Sequence, residues 1–253
     1  FASYYTARLL QIENKPGIST LIILLVAAMV GCSVLGLAIE RFAYRPLRKA
    51  PKLNILITAI GVSLLLQYSA QVIFGADPKV FPSVLEDSVI AEIGGVQLKS
   101  LDIAVLGVTV CMMFLLNFLI YHTKLGKAMR SVSANMNVAS MMGVNTDRII
   151  MFTFVVGSSL AGVGSVLVGM KYPKIEPLMG AMIGLKAFVA AVLGGIGSIA
   201  GAVLGGVIMG VSEEMVVGYW SSTYRDAFAF GILIIILIFR PSGLLGKNSV
   251  EKV

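Results

Sequence analysis

Long apolar runs, each close to 20 residues and almost free of charge, constrain this chain more than any other feature. A helix needs roughly 20 mostly apolar residues to cross a bilayer. Such runs cover Ile18–Ile39, Leu53–Phe74, Leu101–Tyr121 and Ile149–Met170, followed by a glycine-interrupted stretch from Ala181 to Gly218 and a last run over Ala227–Phe239. The stretch 181–218 is too long for one ordinary crossing, and the glycines of Gly194–Gly201 divide it into two short helices. With 57% of 253 residues hydrophobic and only 13% charged, a soluble globule could not cover its apolar surface. Composition also excludes a disordered chain, a disulfide scaffold and collagen. The expectation is an all-α polytopic helical bundle of about seven spans, two of them short and glycine-rich.

Charge locates the loops. Residues 40–52, 122–148 and 240–253 carry twelve basic and three acidic residues, against eight basic and ten acidic in the rest. The positive-inside rule therefore places these three segments, and the C-terminus, in the cytoplasm. Alternation puts 75–100, 171–180 and 213–226 outside, with Tyr219, Trp220 and Tyr224 at the outer interface. The net charge of +7 then records orientation and calls for no nucleic acid. Residues 1–17 begin at Phe1, are too polar for a signal peptide and fall outside by parity, so earlier membrane segments are expected upstream.

Small residues recur every four positions at Gly157, Ala161, Ser165 and Gly169, at Gly197, Gly201 and Gly205, and at Ser198, Ala202, Gly206 and Gly210. Residues so spaced share a helix face and let backbones approach closely in lipid. They read as tight packing or as a moving seam beside a translocation path. Gly195-Ile-Gly197-Ser-Ile-Ala200 formally fits the dinucleotide fingerprint, but it follows a membrane helix and no acidic residue lies about 20 positions on. No G-x-x-x-x-G-K-[ST] loop occurs, so hydrolysis of ATP by this chain is not expected.

Segment 123–148 is basic at its start, then weakly amphipathic. Asn135 followed by Val138, Ala139, Met141 and Met142 predicts a short helix that Gly143 ends. Its Met and small side chains suit a groove on a partner, or else the segment is a solvated connector. Lys186 is expected to snorkel outward. Glu213 and Glu214 end one helix and Asp226 starts the next, which leaves no chain of buried acids for a proton or sodium relay. Gln67, Gln71 and Asn117 read as helix-bridging groups, His122 as a helix-end residue, and Cys32 and Cys111 as packing residues. No catalytic set and no His/Cys metal centre is available. In the outer loop, Ile90–Ile93 and Val96–Leu98 flank Gly94-Gly95 and suggest a small hairpin, either a plain surface loop or a docking element.

Several segments in order resemble one family. They are Glu40-Arg-Phe-Ala-Tyr-Arg-Pro-Leu-Arg48, Thr58-Ala-Ile-Gly61, Gly126-Lys-Ala-Met-Arg130, Met142-Gly-Val-Asn-Thr-Asp-Arg148, Gly184-Leu-Lys-Ala-Phe-Val-Ala-Ala-Val-Leu-Gly-Gly-Ile-Gly-Ser198 and Arg240-Pro-Ser-Gly-Leu-Leu-Gly246. Together they resemble the permease subunits, of the LivH kind, of bacterial ABC importers for branched-chain amino acids. The resemblance runs from about residue 30 to the C-terminus, without the N-terminal helix and Phe-Ala-His-Gly stretch usual in the family.

The resemblance implies a single inner-membrane permease domain over 1–253, with 123–148 as a cytoplasmic coupling loop and 75–100 as a periplasmic loop. It implies that Lys127, Arg130, Asn135, Val138, Ala139, Met142 and Gly143 contact an ATPase. The implied partners are a second, LivM-like permease, two cytoplasmic ATPase subunits that bind ATP and Mg, and a periplasmic leucine/isoleucine/valine-binding protein, besides membrane lipids. No cofactor is expected in this chain. For the solute path, Phe188, Gly194, Gly195, Gly197 and Ser198 are nominated as a short-helix junction. Permeases for urea, nucleosides or other amino acids share this pattern, and a stand-alone secondary transporter or channel and a membrane scaffold stay open.

Overall fold

Helices dominate because an apolar backbone in lipid must satisfy its own hydrogen bonds. The computed structural model describes residues 1–9, 17–48, 50–82, 88–93, 96–240 and 242–246. Lys49, the pair Glu86–Asp87, the Gly94-Gly95 turn, Lys247, Glu251 and Lys252 lie outside the described residues. The chain divides into two compact units, Phe1–Pro177 and Leu178–Val253.

In the first unit, helix α1 (Ala2–Leu9) packs on α2 (Ile18–Ile39), which runs into a π-helical turn at Glu40–Tyr44 and a 3-10 turn at Arg45–Leu47. Helix α3 spans Lys52–Phe74 and α4 spans Ser100–His122. Between them lie strand β1 (Lys79–Val80) and the antiparallel hairpin β2 (Val89–Ile93) with β3 (Val96–Lys99), whose register pairs Ile93 with Val96. The hairpin therefore forms where alternating residues flank the glycine pair. Two short helices, α5 (Lys124–Ala134) and α6 (Met136–Met141), lead to the long α7 (Thr146–Lys171), and strand β4 (Lys174–Ile175) closes the unit.

Helices α2 and α7 form its spine. A Cβ on Gly162 would lie 2.6 Å from the Ala28 carbonyl oxygen, and one on Gly36 would strike Ser158. The packing face of α7 thus carries Ser158, Gly162, Val166 and Gly169. The anticipated stripe is displaced: Gly157, Ala161 and Ser165 are exposed, and only Gly169 is buried, against Phe81. Rows one residue apart differ by about 100° around a helix, and with both rows small the sequence does not choose between them.

Long-range pairs tie the ends of the spine. Strand β1 pairs antiparallel with β4 through Lys79–Ile175 and Val80–Lys174, and Lys171 pairs with Asp102. These contacts put residues 79–80, 102 and 171–175 together at one end of the α2–α7 pair. At the other end, Arg45 and Arg48 pair with Asp147, so 40–48 and 145–148 are neighbours. Among the described side chains, none of α3 or α4 is buried. Apolar helices with such open faces suit lipid or other membrane helices.

The second unit packs α8 (Met179–Gly194), α9 (Ile199–Tyr219) and α10 (Arg225–Phe239) around Val189, Met209 and Ala229. Here the glycine row serves close packing: Cβ atoms on Gly194, Gly201 or Gly205 would strike the backbone of the facing helix or turn. Gly206 and Gly210 face open space. Among the described residues, six helices are long and apolar enough to cross a membrane, and α8 is a shorter apolar one. At 1.5 Å per residue α8 is roughly 24 Å long, short of a hydrocarbon core of about 30 Å.

Candidate functional site

The segment between α4 and α7 is assembled by caps. The Thr123 hydroxyl accepts a hydrogen bond from the Gly126 amide at 3.0 Å, starting α5 immediately after α4. Gly126 is obligatory at this corner, since any Cβ would strike the carbonyl oxygens of Leu119 and Ile120. The Asn135 side-chain oxygen accepts from the amides of Asn137 and Val138 at 3.0 and 3.1 Å, ending α5 and starting α6 in one residue. Gly143 ends α6 with φ +82°, a conformation that favours glycine, while the Val144 amide donates to the Ala139 carbonyl at 3.1 Å. Asn145 then caps α7 through the Arg148 amide.

This framework sorts the predicted contact residues. Val132, Ala139 and Ile149 form a small core that fastens α5 and α6 to the start of α7, and Ala139 is only 3% exposed. Its side chain holds α6 in place from below and is not at the surface. Val138, Met141 and Met142 are at the surface, exposed by 50%, 86% and 80%. Lys127 and Arg130 are exposed on α5, with the Arg130 guanidinium 5.2 Å from the centre of the Tyr121 ring. Asn135 and Gly143 act as caps. Met141 belongs to the apolar surface but not to the predicted contact set; its helical spacing from Val138 was the available signal.

The loop after α2 adds groups that the basic pattern did not single out. Glu40 is fully buried and pairs with Arg48 Nη2, while Arg48 Nη1 pairs with Asp147 in the first turn of α7. Arg45 Nη2 reaches Asp147 at 3.2 Å. Arg suits this place because its planar fork serves two carboxylates at once. Removing one partner of such a buried pair costs about 3–5 kcal/mol, since the other charge is left uncompensated.

In the second unit the proposed junction is mostly filled by backbone. Gly194 faces the main chain of Gly201, and Gly195, at φ +106°, faces that of Ser242 and Gly246. The amides of Leu244 and Leu245 donate to the carbonyls of Leu193 and Gly194 at 2.9 Å, capping the end of α8. Ser198 caps α9 by accepting from the Gly201 amide at 3.0 Å. Gly197, at φ +96°, faces open space, and Phe188 is exposed on α8.

Lys186 does not snorkel outward. Its Nζ lies 3.0 Å from Glu213 Oε2 and 2.8 Å from Asp226 Oδ1, so α8, α9 and α10 each contribute one charge to a shared cluster. Packing the three helices together places both carboxylates within ion-pair distance of the ammonium, which gives the charge a partner inside the unit. Nearby in sequence, Arg225 pairs with Glu214 at 2.9 Å.

These features define a multi-pass helical membrane protein with an apolar, capped surface helix at one end of its spans. The chain belongs to the family described as branched-chain amino acid transport system / permease component, whose pattern matches residues 1–237. It is 42% identical over 230 residues to the high-affinity branched-chain amino acid transport system permease protein BraD of Pseudomonas aeruginosa, covering 90% of this chain and 75% of that protein. It is 38% identical over 258 residues to the corresponding LivH of Escherichia coli, covering 99% and 84%. A probable LivH of Methanocaldococcus jannaschii is 28% identical, covering 97% and 80%. No solved structure matches the chain. As a permease of a transport system, the protein works with other components rather than as an enzyme by itself.

Proposed function

We propose that this chain is the inner-membrane permease subunit of an ATP-driven, binding-protein-dependent importer of leucine, isoleucine and valine. It forms the pathway with a second, LivM-like permease. Two ATPase subunits bind ATP and Mg at the cytoplasmic end, and a periplasmic binding protein delivers the solute. The cytoplasmic end carries residues 40–52, 122–148 and the C-terminus, by the charge asymmetry.

The observation that carries this reading is the exposed Val138–Met141–Met142 face on a helix capped at both ends and fastened to α7. Met side chains adapt to the irregular wall of a groove. Lys127 and Arg130 flank this apolar face with positive charge. Closure of the ATPases on nucleotide pushes α6, and the core under Ala139 passes that displacement to α7. ATP and loaded binding protein each bind the states of the permease with unequal affinity, which is what a conformational change requires. The solute path includes Phe188 and the Gly194–Ser198 break, with Gly194 and Gly195 as its tight pivot and Phe188 and Gly197 as accessible groups.

The test is reconstitution of the complete complex with binding protein and measurement of leucine-stimulated ATP hydrolysis. Stimulation that survives deletion of residues 135–143 refutes the coupling assignment. Orientation is checked with single cysteines at Ser88 and Asn137 in a background lacking Cys32 and Cys111. Labelling of both positions from the same side refutes the topology. Solute uptake without any ATPase subunit indicates a stand-alone transporter instead.

A further inference from the structure

The loop that follows α2 is wound in an unusual way. Its first turn, Glu40–Tyr44, is π-helical and its second, Arg45–Leu47, is 3-10. π-Helical turns inside α-helices occur often at functional sites. Reverting one to α geometry shifts everything beyond it by one residue, roughly a 100° rotation. Here, what lies beyond the turn is Arg45 and Arg48, the two cations that hold Asp147. The buried Glu40 anchors the near side of the turn through Arg48, and the Tyr44 ring packs against Phe154 of α7 at 5.1 Å. Among the described residues, Glu40 Oε2 and Arg48 Nε have no hydrogen-bond partner, so the pairing is incomplete even in this state.

We propose that Glu40 is a positioning residue for energy coupling: through Arg48 it holds Asp147, and so links the ATPase-facing segment to α2. Asp147 lies four residues after Gly143, at the start of the helix whose first turns receive the core under α6. A push on α6 moves the first turn of α7. The Arg48 fork transmits that movement to the π-helical turn, which makes or breaks the Glu40–Arg48–Asp147 chain as a unit. From there it reaches α2, packed on α7 at Ala28–Gly162 and Gly36–Ser158. The inference rests on the importer reading given above.

The experiment uses the reconstituted complex and reads leucine imported per ATP hydrolysed, alongside co-elution of all subunits. Glu40→Gln and Arg48→Lys are expected to assemble and hydrolyse ATP while lowering this ratio at least about 5-fold, the lower end of allosteric couplings. Asp147→Glu, which keeps the carboxylate, is expected to stay within about twofold of the native ratio. A merely structural role lowers assembled complex, hydrolysis and uptake together and leaves the ratio native. That result, or loss of assembly in both Glu40→Gln and Arg48→Lys, overturns the proposal. A native complex without leucine-stimulated hydrolysis refutes the importer reading itself, and the positioning role falls with it.

Discussion

Replacement of Gly162 by valine tests which face of α7 holds the first unit together. The Cβ alone would sit 2.6 Å from the Ala28 carbonyl oxygen, 2.9 Å from its carbon and 3.1 Å from the Met29 nitrogen. All three atoms are backbone of α2, so no side-chain rotation relieves the clash, and two further γ-carbons must also be placed. Overpacking of this kind costs about 1–3 kcal/mol, and a site bounded by main chain belongs at about 3. The better helix propensity of valine over glycine offsets only about 0.4 kcal/mol. The net loss of about 2.5 kcal/mol corresponds to a fall in Tm of about 5–10 °C for a chain of this size. Gly157→Val is the control, because a Cβ there meets nothing within 4 Å. Its expected shift is under about 2 °C. Thermal unfolding of both variants in a Cys111→Ala background and the same detergent, followed by a thiol-reactive dye at the half-buried Cys32, reads the difference. Equal shifts, or a larger loss in Gly157→Val, would show that the exposed row is the packing face and refute the reasoning.

Three other perturbations have defined outcomes. Asn135→Ala removes the acceptor for two amides of α6 and should cost about 1 kcal/mol locally, seen as faster amide exchange over 136–141. Changing Val138 or Met141 to serine removes an exposed apolar anchor worth about 1–2 kcal/mol at an interface. Titration of the ATPase subunit against the variant permease should then show binding about 5- to 30-fold weaker. Lys186→Met strands Glu213 and Asp226 and should destabilise the second unit by about 3 kcal/mol, the low end for a buried pair because the lysine is partly exposed. Adding Glu213→Leu should recover part of that loss, and a double variant no more stable than Lys186→Met alone would show that the two charges are not coupled.

The helices were legible because each is a long apolar run bounded by charge or glycine, and because lipid leaves few alternatives to a helix. Asn135 and Gly143 were legible for a different reason: a side-chain acceptor before a helix and a glycine after it act on neighbouring amides and carbonyls, within reach of local sequence. The surface of α6 was only half legible. Val138 and Met142 are at the surface, but Ala139 is beneath it, and on a six-residue helix with few polar residues the sequence marks no inner side. The break after α8 was legible as a break, whereas its filling by the backbone of Ser242–Gly246 depends on residues about 50 positions away.

Sequence alone determined that the chain is built of apolar helices, roughly where each one lies, and the capped ends of α6. All of these follow from interactions within about one helical turn or from transfer of whole segments into lipid. Tertiary structure decided the rest: Gly162 rather than Gly157 against α2, Phe81 over Gly169, and the clusters Glu40–Arg48–Asp147 and Lys186–Glu213–Asp226. The physical reason is common to these cases. Spans that are apolar on every side carry no periodic signal for the buried face, and ions distant in sequence pair only when packing has brought their helices together.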